Sequence, residues 1–491
     1  MKLALMIWGT SSGAGKSLLA TALCRWAARD GLDVAPFKAQ NMSNNARVIP
    51  APDGGVGEIG SAQYFQALAA RVAPQIDMNP VLLKPERDTA SQVVVHGHVE
   101  PELSRQLWRE RSATLAERAR ASFDRLAATH DLIVIEGAGS PAEINLAGQD
   151  YVNLETARWA RHTAALRALL VVDIDRGGAF AHLYGTWSFL PTDLRPALAG
   201  FVLNKFRGDP ALLAPGPQML CEATGVPVLG TLPMRRDHGL PEEDGVQGTA
   251  TRASTDLIIA IIAWPHLSNL DEFQPLAGVG TLRWARVPAD LHGAHWIILP
   301  GSKQVSGDLA WLHAQGMAAP IVAHARLGRP VLGICGGMQV LGRRLEDPDG
   351  VDGEPHAAMS GLGLLPLTTR YAVPKRLRAA SIRFERLTGH WEALSHRCLP
   401  AYEIRCGRTD CEDPTAAAVL LDAEREPIGW QLGAVLGIAT HGLFEDAGVL
   451  RALFGAEART LDAVFDGLAD LVAEQLGAST LRALVEPAAQ S

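Results

Sequence analysis

Cysteine is scarce in this chain, with six in 491 residues and no two spaced as CxxC. That spacing excludes a disulfide framework and a zinc site built on cysteine pairs. The trio Cys398, Cys406 and Cys411 fits no metal-ligand pattern either. Long hydrophobic runs are also missing. The longest, LIIAIIAW at 257–264, is less than half of a membrane span. LALMIW at 3–8 is too short for the core of a signal peptide. Positive charge is not in excess: 45 Lys and Arg stand against 53 Asp and Glu, a net charge of −8. This argues against nucleic acid as the main partner. No internal repeat or low-complexity tract occurs. These absences point to a soluble, cytoplasmic protein of ordinary globular composition, and 491 residues are too many for one core.

Within that frame, short β-branched runs alternate with longer amphipathic stretches, the pattern of βαβ units and a parallel sheet. The first half offers strands at 3–8, 33–38, 131–136, 169–174, 199–204 and 226–232. The second offers 256–263, 295–301, 330–337 and 433–442, followed by helical pattern to about residue 475. Continuous apolar runs bounded by polar turns suit strands buried on both faces. The predicted fold is therefore α/β, with two doubly wound parallel-sheet domains. The stretch 235–254 is polar, glycine-bearing and aperiodic, and marks the junction between domains 1–240 and 251–491. The tail VEPAAQS is expected to fray.

The first strand runs into GTSSGAGKS, Gly9 to Ser17, which leads into a predicted helix. That is the setting of a phosphate-binding loop, although its first glycine stands one residue earlier than in GxxxxGK[ST]. Thr10, Gly13 and Gly15 would turn backbone N–H groups toward phosphate oxygens. Lys16 would reach the outer phosphates, and the Ser17 hydroxyl can ligate Mg²⁺.

The second half carries LGICGGMQVLG at 332–342, with Cys335 between a strand and a helix in a G-x-C-x-G turn. This is the layout of a nucleophile elbow with cysteine in place of serine. The turn forces the side chain outward, and the helix start favours the thiolate. His441, in GIATHGLFED after another strand, is the candidate base. The Gly301 and Gly336 N–H groups are candidate oxyanion donors.

The GT-x-x-x-x-GK[ST] loop resembles that of dethiobiotin synthetase and its ATPase relatives. The resemblance implies that Glu136, ending the strand DLIVIE, shares Mg²⁺ with Ser17, and that Asn204 lies near the adenine. The second half resembles class I glutamine amidotransferase domains of the triad type. There a glutamate usually stands two residues after the histidine, and here that position is Leu443. The site then either orients His441 with another group, Glu445 or Glu403, or runs as a dyad.

Taken together, PFKAQNMSNNA, GEIGSAQ, DMNPVLLKP, SQVVVHG, DIDRGGAFA, NKFRGD, LPGSK, GICGGMQ and YEIRCGRT resemble the cobyric acid synthase family over residues 3–470. The resemblance implies an ATP-binding amide-synthase domain and a glutamine amidotransferase domain. It implies ATP- and Mg²⁺-dependent amidation, through acyl phosphates, of the b, d, e and g carboxylates of adenosylcobyrinic acid a,c-diamide. Lys38, Gln40, Asn41 and Arg176 would meet that acidic substrate, with no nucleic acid or membrane partner. Arg405, Met338 and Gln304 depart from the family's usual text. Two rival readings are cobyrinic acid a,c-diamide synthase, which shares both domain types, and a partition-type P-loop ATPase.

Overall fold

The computed structural model describes residues 2–52, 54–87, 90–235, 238–241, 256–457 and 459–486. The junction expected at 235–254 lies largely outside the described residues, as does the end of the tail.

Six strands form a parallel sheet in the first half. Their order is Val228–Pro233, Leu198–Phe206, Ala165–Asp173, Leu3–Gly9, Leu132–Glu136 and Val34–Phe37. Side chains alternate across a strand. Leu3, Leu5 and Ile7 accordingly pack into one core, with Leu19 and Leu23 of the helix Lys16–Arg29. Ala4, Met6 and Trp8 pack into a second, with Leu115 and Phe123 of the helix Trp108–Thr129. Burial on both faces explains why these strands read as unbroken apolar runs.

An insertion follows the strand Val34–Phe37. It holds a four-stranded sheet (Gln40–Met42, Val81–Arg87, Ala90–Val95 and His98–Val99) and a hairpin, Ala46–Pro50 with Val56–Gly60.

The second sheet begins parallel, as expected, with Thr281–Ala285, Ile258–Ile262, Trp296–Leu299, Val331–Ile334 and Val435–Ile438 in spatial order. It then continues antiparallel through Pro427–Leu432, Ala417–Leu421 and the long strand Leu367–Phe384. Cys398–Cys411 pairs with that long strand as an antiparallel ribbon. The second sheet is thus mixed where the sequence suggested a parallel one.

The helices Leu461–Leu476 and Ala478–Val485 return to the first half. Phe465, Leu468 and Val472 share a core with Leu5, Ile7 and Leu23. Arg25, 2% exposed, donates to Asp462 at 2.7 Å and to Asp466 at 2.8 Å. At Gly230 a β-carbon would lie 2.6 Å from the Gln475 carbonyl oxygen, so this helix rests directly on the sheet. Leu468→Ala is expected to cost about 2–5 kcal/mol, read as a lower denaturant midpoint for the intact protein.

Candidate active centres

The strand Leu3–Gly9 ends at the carboxyl edge of its sheet, and the loop that follows takes backbone angles that favour glycine. Gly13 has φ 71° and Gly15 φ 101°. At Gly15 a β-carbon would stand 1.9 Å from Asn204 Nδ2. Asn204 donates to the Ala14 carbonyl at 2.9 Å, and Lys205 donates to the Gly13 carbonyl at 2.7 Å, so both brace the loop from below. Lys16 is buried and turns its ammonium inward, donating to the carbonyls of Ser11 at 2.9 Å and Gly139 at 3.0 Å.

Sheet register carries further groups to the same edge. Ile7 pairs with Glu136, and Asp173 pairs with Asn204. The Ser17 hydroxyl donates to Glu136 Oε1 at 2.9 Å, and Lys38 Nζ donates to the same oxygen at 2.8 Å. Gln66 Nε2 donates to Glu136 Oε2 at 2.5 Å. Burial works to raise the Glu136 carboxyl, but Lys38, Gln66 and Ser17 outweigh it and hold it below the usual carboxylate range. A hydroxyl beside an ionised carboxylate fits Mg²⁺, which commonly takes one or two protein oxygens and fills its other positions with phosphate oxygens and water. A cavity of about 410 Å³ opens alongside, lined by Thr10, Ser11, Asp173, Arg176 and His182 among others.

In the second half, Ile334 and Ile438 are paired in adjacent parallel strands. Cys335 follows the first strand directly, and His441 lies three residues beyond the second. Register alone therefore brings them to one edge. Cys335 sits at φ 51° and ψ −105°, the strained turn of a nucleophile elbow. The glycines around it are required by close approach: a β-carbon at Gly333 would lie 2.7 Å from the Gly337 carbonyl carbon. One at Gly337 would lie 1.9 Å from the Leu299 oxygen.

His441 is 2% exposed. Its Nδ1 lies 2.8 Å from Glu272 Oε1, and the Gly442 N–H donates to Glu272 Oε2 at 3.0 Å. The Cys335 sulfur lies near enough for its charge to act on the imidazole, and its thiol donates to the Ile404 carbonyl at 3.8 Å. With Nδ1 committed to the carboxylate, Nε2 is left for the thiol. Burial opposes the imidazolium, but the charges of Glu272 and Cys335 outweigh it and push His441 up to about 10. Gly301 and Gly336 border this centre. A β-carbon at Gly301 would lie 2.8 Å from His441 Cε1, and one at Gly336 would lie 2.8 Å from the Ser302 nitrogen.

The orienting carboxylate corrects the sequence-based expectation. Glu445 pairs with Arg47 at 2.6 Å, and Glu403 pairs with Arg405 at 2.7 Å. The role falls to Glu272, 169 residues before His441 in sequence and fully buried. Its surroundings, SNLDEFQPL, mix polar and apolar residues and carry no motif that would single it out. The dyad alternative is set aside on the same geometry.

The four expected substrate residues separate. Lys38 reaches Glu136, and Arg176 pairs with Asp173 at 3.3 Å on the cavity wall beside the loop. Gln40 accepts from the Tyr151 hydroxyl at 2.6 Å, and Asn41 accepts from the Met42 N–H at 3.0 Å. Of the departures from family text, Arg405 donates to the Gly407 carbonyl at 2.5 Å, while Met338 is fully buried beside Gly437. Among the described residues no helix is long and apolar enough to cross a membrane, and no cluster of three metal-ligating side chains occurs.

A glutamate-oriented cysteine–histidine pair in one half and a phosphate loop in the other define a class, the glutamine-dependent amidating enzymes with a nucleotide-binding domain. Comparison with known proteins agrees. Residues 5–246 match the CobQ/CobB/MinD/ParA nucleotide binding domain, and residues 258–449 match the CobB/CobQ-like glutamine amidotransferase domain. The cobyric acid synthase of Paracidovorax citrulli is 59% identical, over 95% of this chain and 95% of that protein. That of Methylibium petroleiphilum is 58% identical, over 96% and 94%. That of Acidovorax ebreus is 57% identical, over 98% of each. The chain belongs to the cobyric acid synthase family. Neither rival reading is favoured by these relatives.

Proposed function

We propose that this enzyme amidates the b, d, e and g side-chain carboxylates of adenosylcobyrinic acid a,c-diamide, spending ATP on each and taking nitrogen from glutamine. The reading is carried by one observation: a phosphate loop beside an ionised Glu136 occupies the same chain as the Cys335–His441–Glu272 centre.

Ammonia does not condense with a carboxylate in water, so the acid must first become a better electrophile. At the loop, Lys16 and the N–H groups of Thr10, Gly13 and Gly15 stabilise charge on the γ-phosphoryl group as the substrate carboxylate attacks it. ADP leaves and an acyl phosphate forms. Asn204 holds the loop closed, and Lys38 and Arg176 present positive charge to the acid, with Gln40 and Asn41 as amide contacts. Mg²⁺ held by Ser17 and Glu136 would neutralise phosphate charge.

At the other centre the Cys335 thiolate attacks the glutamine side-chain carbonyl, and the Gly301 and Gly336 N–H groups receive the oxyanion. His441 protonates the departing ammonia, and water then cleaves the thioester to glutamate. Ammonia attacks the acyl phosphate, phosphate leaves, and an amide remains. All of these partners are small molecules, in keeping with a cytoplasmic enzyme.

Incubating purified protein with ATP, Mg²⁺, glutamine and the a,c-diamide should yield four successive amidations by mass spectrometry. Turnover of cobyrinic acid in place of its a,c-diamide would overturn the substrate assignment. Lys16→Ala should lower both glutamine- and ammonium-supported amidation by about 10²–10³-fold, while glutamine hydrolysis at Cys335 survives. A variant that kept ammonium-supported amidation would remove Lys16 from the phosphate site.

A further inference from the structure

Arg47 lies on the hairpin strand Ala46–Pro50 of the nucleotide-binding half, yet its buried guanidinium takes its polar partners from the glutaminase half. Nη1 donates to the Tyr402 hydroxyl, and Nη2 donates to Asp271 Oδ2 at 2.5 Å and pairs with Glu445 Oε1 at 2.6 Å. The guanidinium carbon stands 4.9 Å from the centre of the Tyr402 ring and 5.2 Å from that of Phe65. Two of these partners border the triad. Asp271 immediately precedes Glu272. The Tyr402 ring stacks on the His441 imidazole, with centroids 5.3 Å apart and planes 21° apart. Tyr402 and His441 also exchange backbone hydrogen bonds, at 2.9 and 3.3 Å.

A second strut runs beside the first. Asn269 Nδ2 donates to the Tyr402 hydroxyl at 2.9 Å and to the Ala46 carbonyl at 3.3 Å. The Leu270 N–H donates to Asn45 Oδ1 at 3.0 Å. The segment carrying Glu272 is thereby fastened at its start to the other half of the protein.

We propose that Arg47 is a positioning residue for glutamine hydrolysis. Through Tyr402 and the Asp271–Glu272 pair it fixes the plane and orientation of His441, so the thiol centre is complete only when the hairpin from the nucleotide-binding half is seated. The inference rests on the glutaminase reading above. Its chemistry is specific to arginine, since one planar fork must serve a hydroxyl and two carboxylates at once. Lysine, a point charge, can satisfy part of that set. The hairpin leads directly into the helix Ser61–Ala69, whose Gln66 holds Glu136 at the nucleotide site. The seating of Arg47 is thus joined by continuous backbone to the place where the acid is activated.

The test compares Arg47→Met, Arg47→Lys and Tyr402→Phe in the full-length protein. Three readouts are taken: glutamine hydrolysis, ammonium-supported amidation, and the rate at which iodoacetamide alkylates Cys335, followed by peptide mass spectrometry. Misplacing a catalytic group by a fraction of its working distance costs about 10²-fold, so Arg47→Met should lower the glutaminase kcat by that order, with KM within about twofold. Arg47→Lys should recover part of the loss. Tyr402→Phe keeps the stacked ring, guards against a folding failure at Arg47, and should still lower kcat several-fold. Cys335 alkylation should slow in step with kcat, and ammonium-supported amidation should persist in all three. Folded variants with glutaminase kcat within about twofold of wild type would overturn the inference, and so would a parallel fall in both amidation reactions. A wild-type protein without glutaminase activity would instead sink the proposed function itself.

Discussion

Cys335→Ala abolishes glutamine-supported amidation and leaves ammonium-supported amidation in place. Removing a covalent nucleophile leaves no thioester route, and the glutamine-dependent rate should fall by about 10⁴-fold or more. The substitution is mild for the fold. Cys335 already holds φ 51° without being glycine, so alanine inherits the same backbone strain and only the sulfur is lost. Its backbone N–H still donates to the Ile438 carbonyl at 2.8 Å, which keeps the turn attached to its neighbouring strand. The nucleotide site is built from Lys16, Ser17 and Glu136 on a different sheet and should not register the change. Steady-state amidation with glutamine and then with ammonium chloride, at matched ATP and corrinoid, separates the outcomes. Full glutamine-dependent activity in the variant would remove Cys335 from the mechanism. Loss of both activities would mean that the two halves cannot be treated as separate centres.

Both centres were legible in the sequence to different depths, for physical reasons. Phosphate loops and nucleophile elbows are local structures. GTSSGAGKS and GICGG carry within a few residues the glycines, the reacting side chain and the helix start that the chemistry needs, so Lys16, Ser17 and Cys335 could be read directly. His441 followed because adjacent parallel strands deliver their carboxyl ends to a common edge, and Ile334 does pair with Ile438. Glu272 could not follow in this way. It sits in the short 3₁₀ segment Leu270–Gly278 and reaches His441 only through tertiary folding.

The same distinction applies to the fold. Strands buried on both faces announce themselves as apolar runs. The ribbon of Leu367–Phe384 and Cys398–Cys411 does not, because charged residues such as Lys375, Arg376, Arg378 and Arg408 interrupt it. The helix Leu461–Leu476 could be expected from its periodicity. Which core its apolar face would join could not, since Phe465 and Leu468 would suit either half, and the paired charges of Arg25 with Asp462 and Asp466 lie far apart in sequence.

Glu272→Gln should lower glutamine hydrolysis by about 10²–10⁴-fold while leaving ammonium-supported amidation in place. The carboxylate accepts with both oxygens, one from His441 and one from the Gly442 N–H. Glutamine offers a single acceptor and an NH₂ group, so one of those two donors must face another donor. Either Gly442 loses its partner or His441 adopts the tautomer that turns a bare nitrogen toward the amide and an N–H toward the sulfur. An unsatisfied group at this depth costs about 1–3 kcal/mol, which a small fall in melting temperature would report. The pH dependence gives the sharper reading. The Glu272 carboxylate is the strongest influence raising His441 to about 10 against the opposing effect of burial. Removing that anion lowers the folded-state value, so the imidazolium that protonates the departing ammonia is lost at lower pH. The alkaline limb of the glutaminase profile should therefore move toward neutrality, and ammonium-supported amidation should show no such shift. An unmoved alkaline limb at near wild-type kcat would show that the buried carboxylate neither orients nor charges the histidine.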